Sequence, residues 1–123
     1  MADKGHIESF IANSFRSVWA LEVLQFLADH PGASFSADEI ISAMRVSDAV
    51  VSQSVENLSA AGLVMVHGDG KVSFHQGGAQ QAALVQEAID FYRKSPDKVR
   101  RLIVAKTSPG VTAFADAFKL RRD

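Results

Sequence analysis

Two serines eleven residues apart do most to constrain what this chain can fold into. Ser36-Ala37-Asp38-Glu39 is a capping box, in which the Ser36 hydroxyl accepts from the amide of residue 39 and the Glu39 carboxylate accepts from the amide of residue 36. A short helix follows through Arg45, with Ile40, Ile41 and Met44 inward. Ser47 then caps a second helix, so the turn between the two is tight. Val51, Val55 and Leu58 share one face of that second helix, and Gly62 is placed to end it in the left-handed conformation.

The apolar period then changes. Leu63–His67 and Lys71–His75 are short β-prone runs joined by Gly68-Asp69-Gly70, a glycine-containing link that suits a bulged hairpin. Gly77-Gly78 closes the unit. Ahead of it, apolar residues from Ile7 to Leu27 recur at three- and four-residue spacings and predict one long helix over 6–28, stopped by His30-Pro31-Gly32. Behind it, residues 79–94 return to helical spacing. Ser95-Pro96 and Ser108-Pro109 each start a further helix, the last carrying Val111, Phe114, Ala115 and Phe118.

A length of 123 residues with 47% apolar content predicts one domain with a packed core. The absence of cysteine removes disulfides, thiolate catalysis and Cys-based zinc sites, and suits the cytoplasm. The N-terminus carries no signal-peptide pattern, and no apolar run is long enough for a membrane span. No phosphate loop or nucleophile elbow is present, so an enzyme is not expected, and neither is a cofactor. Charge is strongly divided: residues 1–92 balance at −7 and residues 93–123 at +6, with nine basic residues in the latter. The basic end therefore seeks nucleic acid, another protein, or the chain's own acidic part.

The segment from Met44 to Val64, with its cap Ser47, Val51-Ser52, Leu58 and Ala60-Ala61-Gly62-Leu63-Val64, resembles the recognition helix and first wing strand of winged-helix transcriptional regulators, broadly MarR-like and ArsR-like. The resemblance spans roughly residues 16–75. It implies an α+β, mostly helical fold: a winged helix-turn-helix with a two-stranded wing and extra C-terminal helices. Residues 1–78 would form that unit with its leading helix, and residues 79–123 a helical extension that packs on the same domain or forms a dimer.

The same resemblance implies a dimeric, DNA-binding regulator of transcription whose recognition helix starts at Ser47. On double-stranded DNA the groove-facing residues would be Ser47, Ala49, Val50, Ser52, Gln53, Glu56 and Asn57, with Gln53 suited to adenine. Arg45 and the wing residues His67, Lys71, Ser73 and His75 would reach phosphates or the minor groove. The chain departs from the pattern at Gln53 and Glu56, where DNA-binding relatives often carry Arg or Lys, and Asp48 adds another acid. The alternative is a winged-helix module that binds a protein partner rather than DNA.

Other features favour plainer readings. His67 and His75 are placed to face each other across the hairpin, but two histidines without carboxylates make a poor zinc site, and no metal is expected. Phe15 and Trp19 fit the core better than a ligand pocket.

Overall fold

The structure is a computed structural model that describes residues 4–75 and 77–107. Six helices and three short strands follow in the order α1 (Lys4–Ser14), α2 (Val18–Ala28), β1 (Ser34–Phe35), α3 (Ala37–Met44), α4 (Asp48–Ala60), β2 (Val64–Val66), β3 (Val72–Phe74), α5 (Ala79–Lys94) and α6 (Pro96–Thr107). The strands form one antiparallel sheet in the order β1-β3-β2. This is a winged helix-turn-helix flanked by helices on both sides in sequence. The helix expected from Ser108-Pro109 onward lies outside the described residues.

The capping signals act as the sequence predicts. Ser36 Oγ accepts from the Glu39 amide at 3.1 Å and Glu39 Oε1 accepts from the Ser36 amide at 2.8 Å, which closes the box and starts α3. Ser47 Oγ accepts from the Val50 amide at 3.2 Å and starts α4. Gly62 ends α4 at φ +75°, and the Leu63 amide returns to the Leu58 carbonyl at 2.9 Å, so the chain enters β2 directly. In the hairpin, Gly70 at φ +87° lets the chain turn back while its amide donates to the His67 carbonyl.

Two expectations need correction. The predicted helix over 6–28 is two helices, because Phe15-Arg16-Ser17 interrupts it. Ser17 is extended at φ −155° and caps α2 through the Ala20 amide. The wing is joined by a third strand: β1 pairs with β3 through Ser34 with Ser73 and Phe35 with Val72. A two-residue strand carries too little alternation to be seen in sequence.

One core runs through these elements. Ile7, Ile11 and Phe15 from α1, Leu21, Leu24 and Leu27 from α2, Ile40, Val51 and Leu58 from the two following helices, and Val85, Ile89, Val99 and Ile103 from the last two are all buried. Phe15 is fully buried as expected, whereas Trp19 is 46% exposed and stands outside the core. Helices α5 and α6 pack on α1, while α4 packs on α2, α3 and β2. Tyr92 Oη on α5 donates to Glu22 Oε2 on α2 at 2.8 Å. Burial of the ring, and then that bond, push the phenol above its ordinary pKa. No helix among the described residues is long and apolar enough to cross a membrane.

The Ser36 amide, followed by its hydroxyl and the nearby Lys71 charge, holds the Glu39 carboxyl below its usual pKa. A depressed carboxyl adds stability above its unfolded pKa and loses it as pH falls through the folded value. Ser36→Ala should lower the unfolding free energy by about 1 kcal/mol in a urea titration at neutral pH. Glu39→Gln, which keeps a capping acceptor without a charge, should lose less stability than the unaltered chain between about pH 5 and pH 3.

Candidate nucleic-acid interface

Helix α4 presents its N-terminal half to solvent. Ser47, Ala49, Ser52, Gln53 and Glu56 are exposed and Val50 is half-buried, while Val51, Ser54, Asn57 and Leu58 face inward. The period of 3.6 residues thus separates an outward face of short and polar side chains, acidic at Asp48 and Glu56, from the core face. The Ser47 hydroxyl is already engaged as the cap, which leaves its proton for an outside acceptor.

Asn57 does not face outward as expected. Its side chain is 7% exposed and both amide atoms are taken: Oδ1 accepts from the Arg16 amide at 2.8 Å, and Nδ2 donates to the Ser14 carbonyl at 2.9 Å. These are the backbone groups freed where α1 breaks from α2, so the side chain closes the gap that sequence periodicity hides. The same bonds bring the Arg16 backbone against the inward flank of α4, with the Arg16 side chain exposed.

Arg45 occupies the turn between α3 and α4 in the left-handed region, φ 58° and ψ 46°, among the described residues the only non-glycine with positive φ. Its side chain is exposed. In the wing, His67 Nε2 and Ser73 Oγ lie 2.8 Å apart, and Lys71 is exposed at the hairpin, where Asp69 Oδ1 accepts from its amide at 3.0 Å. His67 and His75 do not face each other. His67 bonds to the Lys71 carbonyl near the turn and His75 to the Leu63 carbonyl at the far end, because Val66 pairs with Val72. Among the described residues no cluster of His, Asp or Glu could hold a metal ion.

Three cations of the basic C-terminal part that the structure describes are placed elsewhere. Lys98 pairs with Glu8 at 3.2 Å, Arg93 with Asp29 at 3.7 Å, and Arg100 with Asp97 at 3.1 Å. Lys98 and Arg93 therefore meet acids of α1 and of the α2 end, not the outward face of α4.

The fold and this face define a winged helix-turn-helix. Residues 17–71, which run from the α2 cap to the start of the second wing strand, match the model of the MarR family. The matched segment is somewhat less than half of the chain and falls on the MarR side of the broader resemblance. No curated protein and no solved structure matches the chain.

Removing the Asn57 carboxamide would strand two backbone groups. Asn57→Ala should cost about 2 kcal/mol or more by chemical denaturation. Arg45→Gly, which relieves a left-handed L-residue, should instead raise stability by about 0.5–1 kcal/mol while removing a cation from the face.

Proposed function

We propose that this chain is a DNA-binding regulator of transcription, active as a homodimer in the cytoplasm, with α4 entering the major groove from its Ser47 end. The observation that carries the reading is the exposed pair Ser52 and Gln53 on the outer face of a capped second helix, with a wing beside it. The match of residues 17–71 to the MarR family supports it. Gln53 supplies the amide that pairs with adenine N6 and N7. Ser47, Ala49, Val50 and Ser52 fit closely against base edges because their side chains are short. Arg45, Lys71 and Arg16 supply phosphate contacts, and His67 with Ser73 form the outer side of the wing. Helices α1, α5 and α6 lie outside the helix-turn-helix and are the surface through which two copies join. On this reading the chain is not an enzyme.

The electrostatic term is small. Three cations per protomer give a slope of log K against log salt of about −5 for a dimer, from roughly −0.9 per phosphate. A second reading, a protein-interaction module, is favoured by one observation: α4 carries Asp48 and Glu56 and no Lys or Arg.

Titration of the full chain onto random and selected duplexes at two salt concentrations separates the two. DNA binding at low salt with that shallow slope is expected. Gln53→Ala should alter sequence preference, with a cost of about 1–3 kcal/mol at one base position, whereas Lys71→Ala should weaken all sequences alike. No binding to any duplex at low salt would sink the DNA reading and leave the module reading standing.

A further inference from the structure

Between α4 and the wing runs a groove of about 490 Å³. Its lining includes Val51, Val55, Val66 and Val72 together with Ser52 and Glu56, so it adjoins the outward face of α4. It lies beside β2, an outer strand of the sheet, where Met65 and Val66 are 47% and 48% exposed. An apolar hollow flanked by a carboxylate is poorly matched to a phosphate backbone, which needs cations there. It is well matched to a peptide segment with apolar anchors and positive charge.

We propose that this groove is the docking site of the chain's own C-terminal segment, residues 108–123. That segment lies outside the described residues, and its sequence has the required chemistry. Val111, Phe114 and Phe118 recur at three- and four-residue spacing, and Lys119, Arg121 and Arg122 follow. Charge complementarity selects this groove over the other hollow of the same size, on α6. Among the described residues that hollow is lined by Arg101 and by Lys98, which is paired with Glu8, together with Leu102 and Ala105, and Arg101 repels the segment's own cations. Around this groove the neighbouring charges are Asp48 and Glu56 on α4 and Lys71 between Gly70 and Val72 of the wing, a net negative set. Reach is comparable with the size of the domain: four extended residues from Thr107 to Val111 and a helix from Val111 to Phe118 together span up to about 24 Å, against about 26 Å for twice the radius of gyration of a domain of this size.

Docking here covers the wing side of α4. The consequence for DNA rests on the function proposed above: the segment then competes with DNA for this face. Phe114→Ser with Phe118→Ser leaves every charge in place, so electrostatics alone predicts no change, whereas unmasking raises DNA affinity.

The docking itself is tested without DNA. The chain has no cysteine, so engineered pairs report cleanly. A disulfide needs the two Cα atoms within about 7 Å. The full chain carrying Ser59→Cys and Ala117→Cys should close an intramolecular disulfide at least about tenfold faster than one carrying Ser9→Cys and Ala117→Cys, because docking raises the effective concentration at the groove. Both partner positions are exposed, on α4 and α1, so neither substitution disturbs the core. Adding Phe114→Ser and Phe118→Ser, or Val66→Lys in the groove wall, should return the first rate to the second. Equal rates for the two pairs, or disulfide-linked dimers in place of closed monomers, would overturn the proposal. Failure of the chain to bind DNA would overturn the function above and leave this readout unchanged.

Discussion

Asn57 lies on α4 with its carboxamide turned into the break between α1 and α2, where one oxygen and one nitrogen replace the helical bonds the chain gives up. The placement of the outer face of α4 depends on this bridge. Helix α1 is packed on α5 and α6, and α4 is packed on α2 and α3, so the carboxamide joins the flanking helices to the helix-turn-helix. An apolar residue of similar size would fill the space but leave a carbonyl and an amide unpaired, at a cost of about 1–3 kcal/mol each. The bond therefore fixes which way α4 is turned as well as how firmly it is held. In a dimer joined through α1, α5 and α6, the separation of two α4 helices follows from that turn. Half-sites about 34 Å apart leave little tolerance for a helix that rotates.

What the sequence made legible was local. Ser36, Ser47, Gly62, Gly70 and Pro96 each act within a few residues, through a cap, a left-handed turn or a fixed φ, and each acts where its neighbours say it should. The break at Phe15-Arg16-Ser17 was not legible, because Phe15 and Leu21 both belong to the core and the apolar rhythm passes through the interruption. Its partner is 41 residues away along the chain, beyond any periodicity argument. The one local sign was Ser17, a capping residue within an apolar stretch. Ser52 and Gln53 are exposed on α4, in keeping with the helical spacing, whereas Asn57, also polar, faces in to satisfy backbone groups. Polarity alone does not separate a reading residue from a buried bridge. The helical wheel does not separate them either, since Ser52 and Asn57 stand about 110° to either side of the direction shared by Val51 and Leu58; what distinguishes Asn57 is the α1–α2 break that lies against its flank of α4.

The divided charge is explained in part by contacts within the chain. Lys98 and Arg93 turn toward Glu8 and Asp29, so part of the positive balance of the C-terminal end offsets acids of the first two helices. Exposed pairs of this kind are worth up to about 1 kcal/mol each, and they orient α5 and α6 more than they hold them. Their effect on the α4 face is indirect. By keeping these cations on acids of α1 and of the α2 end, they leave Arg45 and Lys71 beside an outer surface that holds Asp48 and Glu56.

A reading face with few cations has a definite physical character. Phosphate attraction supplies nearly all non-specific affinity, whereas discrimination comes from base-edge contacts worth about 1–3 kcal/mol each. Lowering the first term weakens binding to every sequence, and it does not lower the second. On the function proposed above, Ser52 and Gln53 read bases through neutral groups, so their contribution survives at salt concentrations that screen Arg45 and Lys71. On that same reading, a protomer binds a single half-site weakly. Useful affinity then has to come from engaging two half-sites at once, where the second contact is made at high effective concentration. That requirement returns to the carboxamide of Asn57, because simultaneous engagement is possible only if both α4 helices are held at a fixed angle to the helices that join them.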